Sequence, residues 1–320
     1  MTESILKQTI IPREYHGQRL DIVLAKLFPD YSRSQLSSWV KEGAITLNKH
    51  QSKPKDKVVG GEEIEMIIDF AKLETNNHSY LPEEIPLNIV YEDEQLLVIN
   101  KPAGLVVHPG AGNREHTLVN GLLHHNPDLQ HLPRAGIIHR LDKDTTGLLV
   151  SAKTLTAHTN LIRQMQAHDI QRKYLALVQG HLISGGKIDT FYGRHPRSRL
   201  KMAVCKQGRQ AITHYSLRKQ YGEFTLLDVQ LMTGRTHQIR VHMAHINHPV
   251  VGDKLYGGRI RFPSQATEEL RELFRLFCRQ ALHAAKLAFR HPVSDELLTF
   301  EAPLPDDFQT LLNALDDYFV

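Results

Sequence analysis

Cysteine is nearly absent: Cys205 and Cys278 are the only two in 320 residues. Two distant thiols make neither a disulfide framework nor a zinc motif, and they fit a reducing compartment. Long apolar runs are absent too. None approaches the roughly 18–20 residues that span a bilayer, so no membrane contact is expected. The opening MTESILKQTIIPREYHGQRL has no basic segment followed by a long apolar stretch, and no signal peptide is expected. A cytoplasmic location follows as the expectation. No glycine-rich loop follows any strand-like run, which argues against a nucleotide cofactor. His237, His242, His245 and His248 invite a metal, but their spacing fits no zinc pattern and no cysteine or glutamate completes the set. No metal is expected. Internal repeats and low-complexity tracts are also missing.

An apolar fraction of 41% and a charged fraction of 23% are those of an ordinary globular protein. The length favours two domains, one small and one large. The net charge of +4 is too mild to name a polyanionic partner, although 20 histidines can deepen the positive field near neutrality.

Leu20, Val23, Leu24, Leu27 and Phe28 recur at helical spacing. Ser32 stands where an N-cap belongs, ahead of a second helix with Leu36, Trp39 and Val40 on one face, and Gly43 closes it. The strand-like AITLN and EEIEMII follow, separated by a basic turn with Lys49, Lys53, Lys55 and Lys57. With Arg33 and Lys41, these cations face only Glu42 and Asp56 between positions 33 and 57. Two helices and a small hairpin with one basic edge would suit a phosphate backbone, while from charge alone a solvated face is the simpler reading.

The stretch AKLETNNHSYLPEEIPLN loses all period and reads as a linker. Beyond it, strand-like runs (EQLLVIN, GLLVSA, KYLALVQG, AITHYSL, FTLLDVQLM) outnumber helical crossovers, with helices expected over 156–168 and 236–245. An α+β fold with a mixed, largely antiparallel sheet is expected.

Two segments are dense in chemistry. In GIIHRLDKDTTGLLV (136–150), a polar turn between two apolar runs puts Asp142 on a loop at a sheet edge; such anchored loops are common catalytic sites, although a plain turn is the simpler account. The second is TGRTHQIRVHMAH (233–245), continuing to GDKLYG at 252–257. The kinase-like string HRLD lacks the asparagine, glycine-rich loop and DFG of that chemistry.

Residues 19–21 (RLD), 32–34 (SRS) and 43–48 (GAITLN) resemble the S4-type RNA-binding domain. HRLDKDTTG resembles the signature of the RluA-type pseudouridine synthases, and NKPAG (100–104), KYLALVQG (173–180) and TGRTHQIRVH (233–242) match that family's further motifs in order. RHP (194–196) and QALHA (280–284) are closest to its large-subunit ribosomal RNA subgroup. Thr146 stands where the family more often has serine.

The resemblance implies an N-terminal extension (1–17), an S4-type domain (18–75), a linker (76–88) and a catalytic domain (89–320). It implies RNA as partner, 23S-type ribosomal RNA or the assembling large subunit, and no cofactor. Making pseudouridine breaks the uracil N1–C1′ bond, turns the base and rejoins it through C5, with no redox change. Asp142 is implied as the catalytic carboxylate, Arg240 as the guanidinium that keeps it charged, and Tyr174 as the ring stacking on uracil. Arg140 is implied to fill the space left by the flipped base, with His139 beside it also on the substrate. Arg235 braces the loop, contacts RNA or makes an ordinary ion pair, and Arg33, Lys41, Lys53 and Lys55 are the expected backbone contacts of the first domain. A synthase acting on transfer RNA and a non-catalytic ribosome-assembly factor remain alternatives. A glycosidase would need a second carboxylate, for which Asp144 is the candidate.

Overall fold

The computed structural model describes residues 4–28, 31, 33–69, 80–109, 113, 115–198, 200–259, 261–263 and 265–319. The chain divides into two compact units, Met1–Ser79 and Tyr80–Val320.

In the first unit, helices α1 (Leu20–Leu27) and α2 (Arg33–Glu42) accompany strands β1 (Ser4–Ile10), β2 (Ile45–Leu47) and β3 (Glu63–Asp69), ordered β1-β3-β2 and all antiparallel. The helical spacing of apolar residues is what buries one face of each helix: Leu20, Val23 and Leu24 from α1, and Leu36, Trp39 and Val40 from α2, are buried, as are Ile45, Ile64 and Met66 of the strands. Each such side chain contributes about 1.5–3 kcal/mol when fully buried. Gly43, at φ +78°, ends α2, and the Ala44 amide reaches back to the Trp39 carbonyl at 2.9 Å. Ser32, expected as the N-cap of α2, lies outside the described residues. Within the expected N-terminal extension, residues 4–10 form β1, which pairs along its whole length with β3. Its partner lies more than fifty positions away, so no local pattern announces the pairing.

The second unit is built on one mixed sheet. Its strands are β4 (Ile89–Glu92), β5 (Leu96–Lys101), β6 (Thr146–Ala152), β7 (Gln171–Gln179), β8 (Gly186–Arg194), β9 (Met202–Val204), β10 (Arg209–Tyr221), β11 (Phe224–Leu231), β12 (Leu282–Arg290) and β13 (Leu297–Glu301). The order is β4-β5-β6-β12-β7-β11-β10-β8-β9, with β13 also on β12. Among the described strands, only β6 and β12 pair in parallel; the rest are antiparallel, as the α+β reading expects. Alternation in β5 sends Leu97 and Ile99 into one core and Leu96 and Val98 into another. The first core also takes α3 (Leu118–His125), α6 (Glu268–Leu276) and α7 (Asp306–Tyr318); α4 (Leu155–Ala167) covers the second. Helix α5 (Gln238–His245) follows β11.

Within the expected linker, residues 80–88 form an extended strap tied to α3: Asn120 donates to the Leu81 carbonyl at 2.7 Å, and Gly121 leaves room for Ile85. Two prolines and no period describe a strap as well as a linker, which is why sequence alone does not separate them.

Candidate active site

Asp142 stands in the turn that leads into β6, where two glycines fix the approach. Gly136, at φ +77°, lies so close to β6 that a β-carbon would fall 1.9 Å from the Ala152 carbonyl oxygen; at Gly147, at φ +110°, one would fall 2.3 Å from that of Ala284. Neither site can hold a side chain without moving the backbone.

The turn itself is held at successive residues. Asp142 Oδ2 accepts a hydrogen bond from Arg240 Nη1 at 2.9 Å. The Lys143 carbonyl accepts from Lys101 Nζ at 2.8 Å, and the Asp144 carbonyl from Arg279 Nη1 at 3.4 Å. Thr145 Oγ1 accepts from Gln280 Nε2 at 3.0 Å, and Thr146 Oγ1 bonds to His283 Nδ1 at 2.8 Å. Lys101 is wholly buried and gives its other donors to the carbonyls of Pro102 and Leu105. Burial pushes its pKa down to about 7; Asp144 and Asp142 pull upward, and Arg279 adds to the fall.

Arg240, on α5, bridges two carboxylates 98 and 13 positions away in sequence. Its Nε and Nη2 donate to the two oxygens of Asp253 at 2.7 and 2.8 Å, a forked pair, while Nη1 is left for Asp142. Its guanidinium also lies 5.2 Å from the centre of the Tyr256 ring. Burial alone would lower the arginine pKa; the bonds to Asp253 and the charges of Asp142 and Asp253 outweigh it and raise the value. Asp253 has a fully buried side chain. Burial works to raise its pKa, but Arg240 and the amides of Tyr256 and Leu255 hold it below the usual carboxylate range.

The loop before α5 is pinned by Gln238, whose amide is satisfied at both ends. Its oxygen accepts from Thr233 Oγ1 (2.8 Å) and the Arg235 amide (3.0 Å); its nitrogen donates to the Ile212 carbonyl (3.0 Å) and Thr213 Oγ1 (2.9 Å). His237 begins α5 in the left-handed region and bonds through Nδ1 to the Tyr256 hydroxyl at 2.9 Å, with Nε2 3.9 Å from Asp142. His242 is tied to Thr213 at 2.8 Å and Thr190 at 3.2 Å. Among the described residues, no three histidine, cysteine, aspartate or glutamate side chains converge as a metal set.

These elements enclose a concavity of about 330 Å³, counting its open mouth. Arg140, Asp142, Tyr174, Arg235, His237 and Arg240 line it, with Leu141, Leu231, Ile239 and Leu282 supplying apolar wall. Tyr174 is buried in β7. Burial raises its hydroxyl pKa, Arg172 pulls it back, and Asp142 adds to the rise.

Five of the six catalytic-domain residues singled out from sequence therefore meet at one place. His139, expected beside Arg140 on the substrate, is the exception, since it is not among the residues lining the concavity. The chain turns at Gly136 and runs back along β6, with Ile137 opposite Ser151, and His139 Nε2 accepts from the Val150 amide at 3.4 Å. Burial and the nearby Arg172 push its pKa down to about 3, so it is neutral. In the first unit, Arg33 donates to Asp21 at 2.9 Å beside Arg19, while Lys41, Lys53 and Lys55 are exposed. Lys101, Asp253, Gln238 and Gln280 escape the sequence reading. All lie in or beside noted motifs, yet their work is to satisfy backbone or charge across the fold.

Residues 95–245 match the family described as RNA pseudouridylate synthase, and residues 18–64 match the S4 domain. In structure, the chain is similar to human RNA pseudouridylate synthase domain containing 4, with a TM-score of 0.55 at 25% identity over 72% of this chain and 93% of that one. The fold is thus that of enzymes that isomerise uridine in RNA. In sequence, the chain is 53% identical to the ribosomal large subunit pseudouridine synthase D of Xanthomonas campestris pv. campestris, over 98% of this chain and 93% of the relative. It is 52% identical to the protein of that name from Haemophilus influenzae, over 94% and 92%. The chain belongs to the RNA pseudouridylate synthase family and is an RNA pseudouridine synthase, an isomerase with an S4 domain.

Proposed function

We propose that this enzyme converts uridines of large-subunit ribosomal RNA to pseudouridine in the cytoplasm, with Asp142 as the catalytic carboxylate. The observation that carries the site assignment is the meeting of Asp142 and Arg240 at 2.9 Å in a concavity shared with Tyr174 and Arg140. The substrate class rests on the names of relatives about half identical over nearly the whole chain.

The target uridine leaves its stack at a cost of a few kcal/mol, which the enzyme meets with new contacts. Arg140, exposed at the rim, is placed to occupy the vacated space. Asp142 acts on the sugar or base as the N1–C1′ bond breaks. The freed uracil turns against the Tyr174 ring within apolar walls that keep it from escaping, and C5 takes the place of N1. The C5 proton must then leave, and the Tyr174 hydroxyl is the group beside the base that can take part in its transfer. Arg240, locked by Asp253, holds Asp142 in place throughout and stays protonated.

Pseudouridine mapping across total RNA, in cells with and without the gene, tests the substrate. Loss of modified positions from the large-subunit RNA alone is expected. Loss confined to transfer RNA would reassign the substrate, and an unchanged map would remove the proposed function.

A further inference from the structure

Arg172 is one of three buried arginines among the described residues of the catalytic unit, with Arg240 and Arg279, and its surroundings are the opposite of those of Arg240. It precedes Tyr174 by two residues on β7, so both side chains leave the same face of the sheet. It is only 6% exposed. Among the described residues, no carboxylate pairs with it, no hydrogen bond is made by its guanidinium, and its Nε is buried without an acceptor. Its Nη1 lies against Gly234, where a β-carbon would stand 2.6 Å away. Its charge is also felt by His139, which is neutral and offers no counter-charge.

Arg172 thus lies near the chain neighbours of Arg140 and Arg235, two arginines that line the concavity, while Arg172 itself stands behind that lining. Neither of those has a carboxylate partner among the described residues; Arg235 Nε donates only to the Gln210 carbonyl, at 3.4 Å. Asp142, the acid that shares the concavity with Arg140 and Arg235, is already bonded to Arg240. A buried guanidinium without an anion is costly. A fold that places one two residues from the base-stacking tyrosine has left its counter-ion to be supplied from outside. Guanidinium is the group best matched to a phosphate oxygen pair, and glycine at 234 leaves the backbone beside it bare.

We propose that Arg172 is the floor of a phosphate subsite that takes a backbone phosphodiester of the RNA next to the flipped uridine, with Arg140 and Arg235 at its mouth. This rests on the reading of the concavity as the uridine site. The phosphodiester fixes the strand so that only one nucleotide reaches Asp142, which makes Arg172 a binding and positioning residue.

The test compares wild type with Arg172→Met, which keeps the volume and removes the charge, and with Arg172→Lys. The probe is a transcript of the ribosomal RNA fragment that mapping identifies. With Arg172→Met, KM is expected to rise about tenfold or more with kcat kept, since a contact present before and during reaction is lost. The slope of log affinity against log salt should shallow by about 0.7, the value of one phosphate on a single strand. Arg172→Lys should recover part of the affinity. The melting temperature of Arg172→Met should equal or exceed that of wild type, because an uncompensated charge is gone. A methylphosphonate replacing the one relevant phosphate should weaken wild type and leave Arg172→Met unaffected. A lower melting temperature with an unchanged salt slope would make the residue structural and overturn the proposal. So would a fall in kcat at constant KM, which would point to the uracil in place of a phosphate. If wild type leaves the fragment unmodified, the substrate reading fails instead, and the salt slopes still decide whether Arg172 meets a phosphate.

Discussion

The two units each contain a three-member charge cluster, and the clusters are inverted. In the first, one carboxylate, Asp21, sits between Arg19 and Arg33, whose side chains are 42% and 50% exposed. In the second, one guanidinium, Arg240, sits between Asp142 and Asp253, and all three are largely out of water. The solvent-facing arrangement ties the start of α1 to the start of α2 and keeps positive charge at the surface. The buried arrangement uses one carboxylate to fix the cation and leaves the other lining a concavity. Similar chemistry thus serves a surface in one unit and the proposed reacting centre in the other, and dielectric surroundings decide which.

The largest effect should come from the exposed end of the buried cluster. Asp142→Asn preserves shape and removes charge, so turnover of the RNA fragment should fall to background while binding, read by filter retention, is kept. Near-normal turnover would end the case for this carboxylate. Next comes the buried end. Asp253→Asn leaves Arg240 under-compensated and should cost about 3–5 kcal/mol by denaturant unfolding at neutral pH. The sign with pH follows from the depressed pKa of Asp253: its contribution is full above the ordinary carboxylate range and is lost as pH falls through the folded value. Wild type and variant should therefore converge in acid; a gap of constant size would show that Asp253 acts through shape alone. The smallest effect belongs to the solvent-facing cluster. Asp21, too, is held below its ordinary pKa: burial opposes this, and Arg19 and Arg33 prevail. Asp21→Asn should cost the first unit about 1–2 kcal/mol, a figure reduced by salt. A loss as large as that at Asp253 would erase the contrast between the clusters.

Much of this was legible in the sequence because local pattern carried it. The helical spacing from Leu20 to Val40, the β6 run and the loop motifs report short-range constraints, and the structure places α1, α2, β6 and Asp142 accordingly. What was not legible depends on partners far away in the chain. The pairing of β1 with β3 and the strap over α3 are both of this kind. So are the second acid beside Arg240, Asp253, and the lack of any acid beside Arg172: the resemblance pairs Arg240 with Asp142 alone, and folding reveals the rest. His139 shows the reverse limit, since membership of a dense motif does not say which way a side chain turns.

The parallel pairing of β6 with β12, alone of its kind among the described strands, has a consequence for biosynthesis. Gly147 abuts Ala284, and Thr146 bonds to His283, so the turn bearing Asp142 is completed by residues made almost 140 positions later. An emerging polypeptide can fold its amino-terminal unit early, since domains form as units in order of synthesis. The turn that carries Asp142 has to wait for β12 to be made, so a chain released before it would keep the amino-terminal unit and lack the proposed reacting centre.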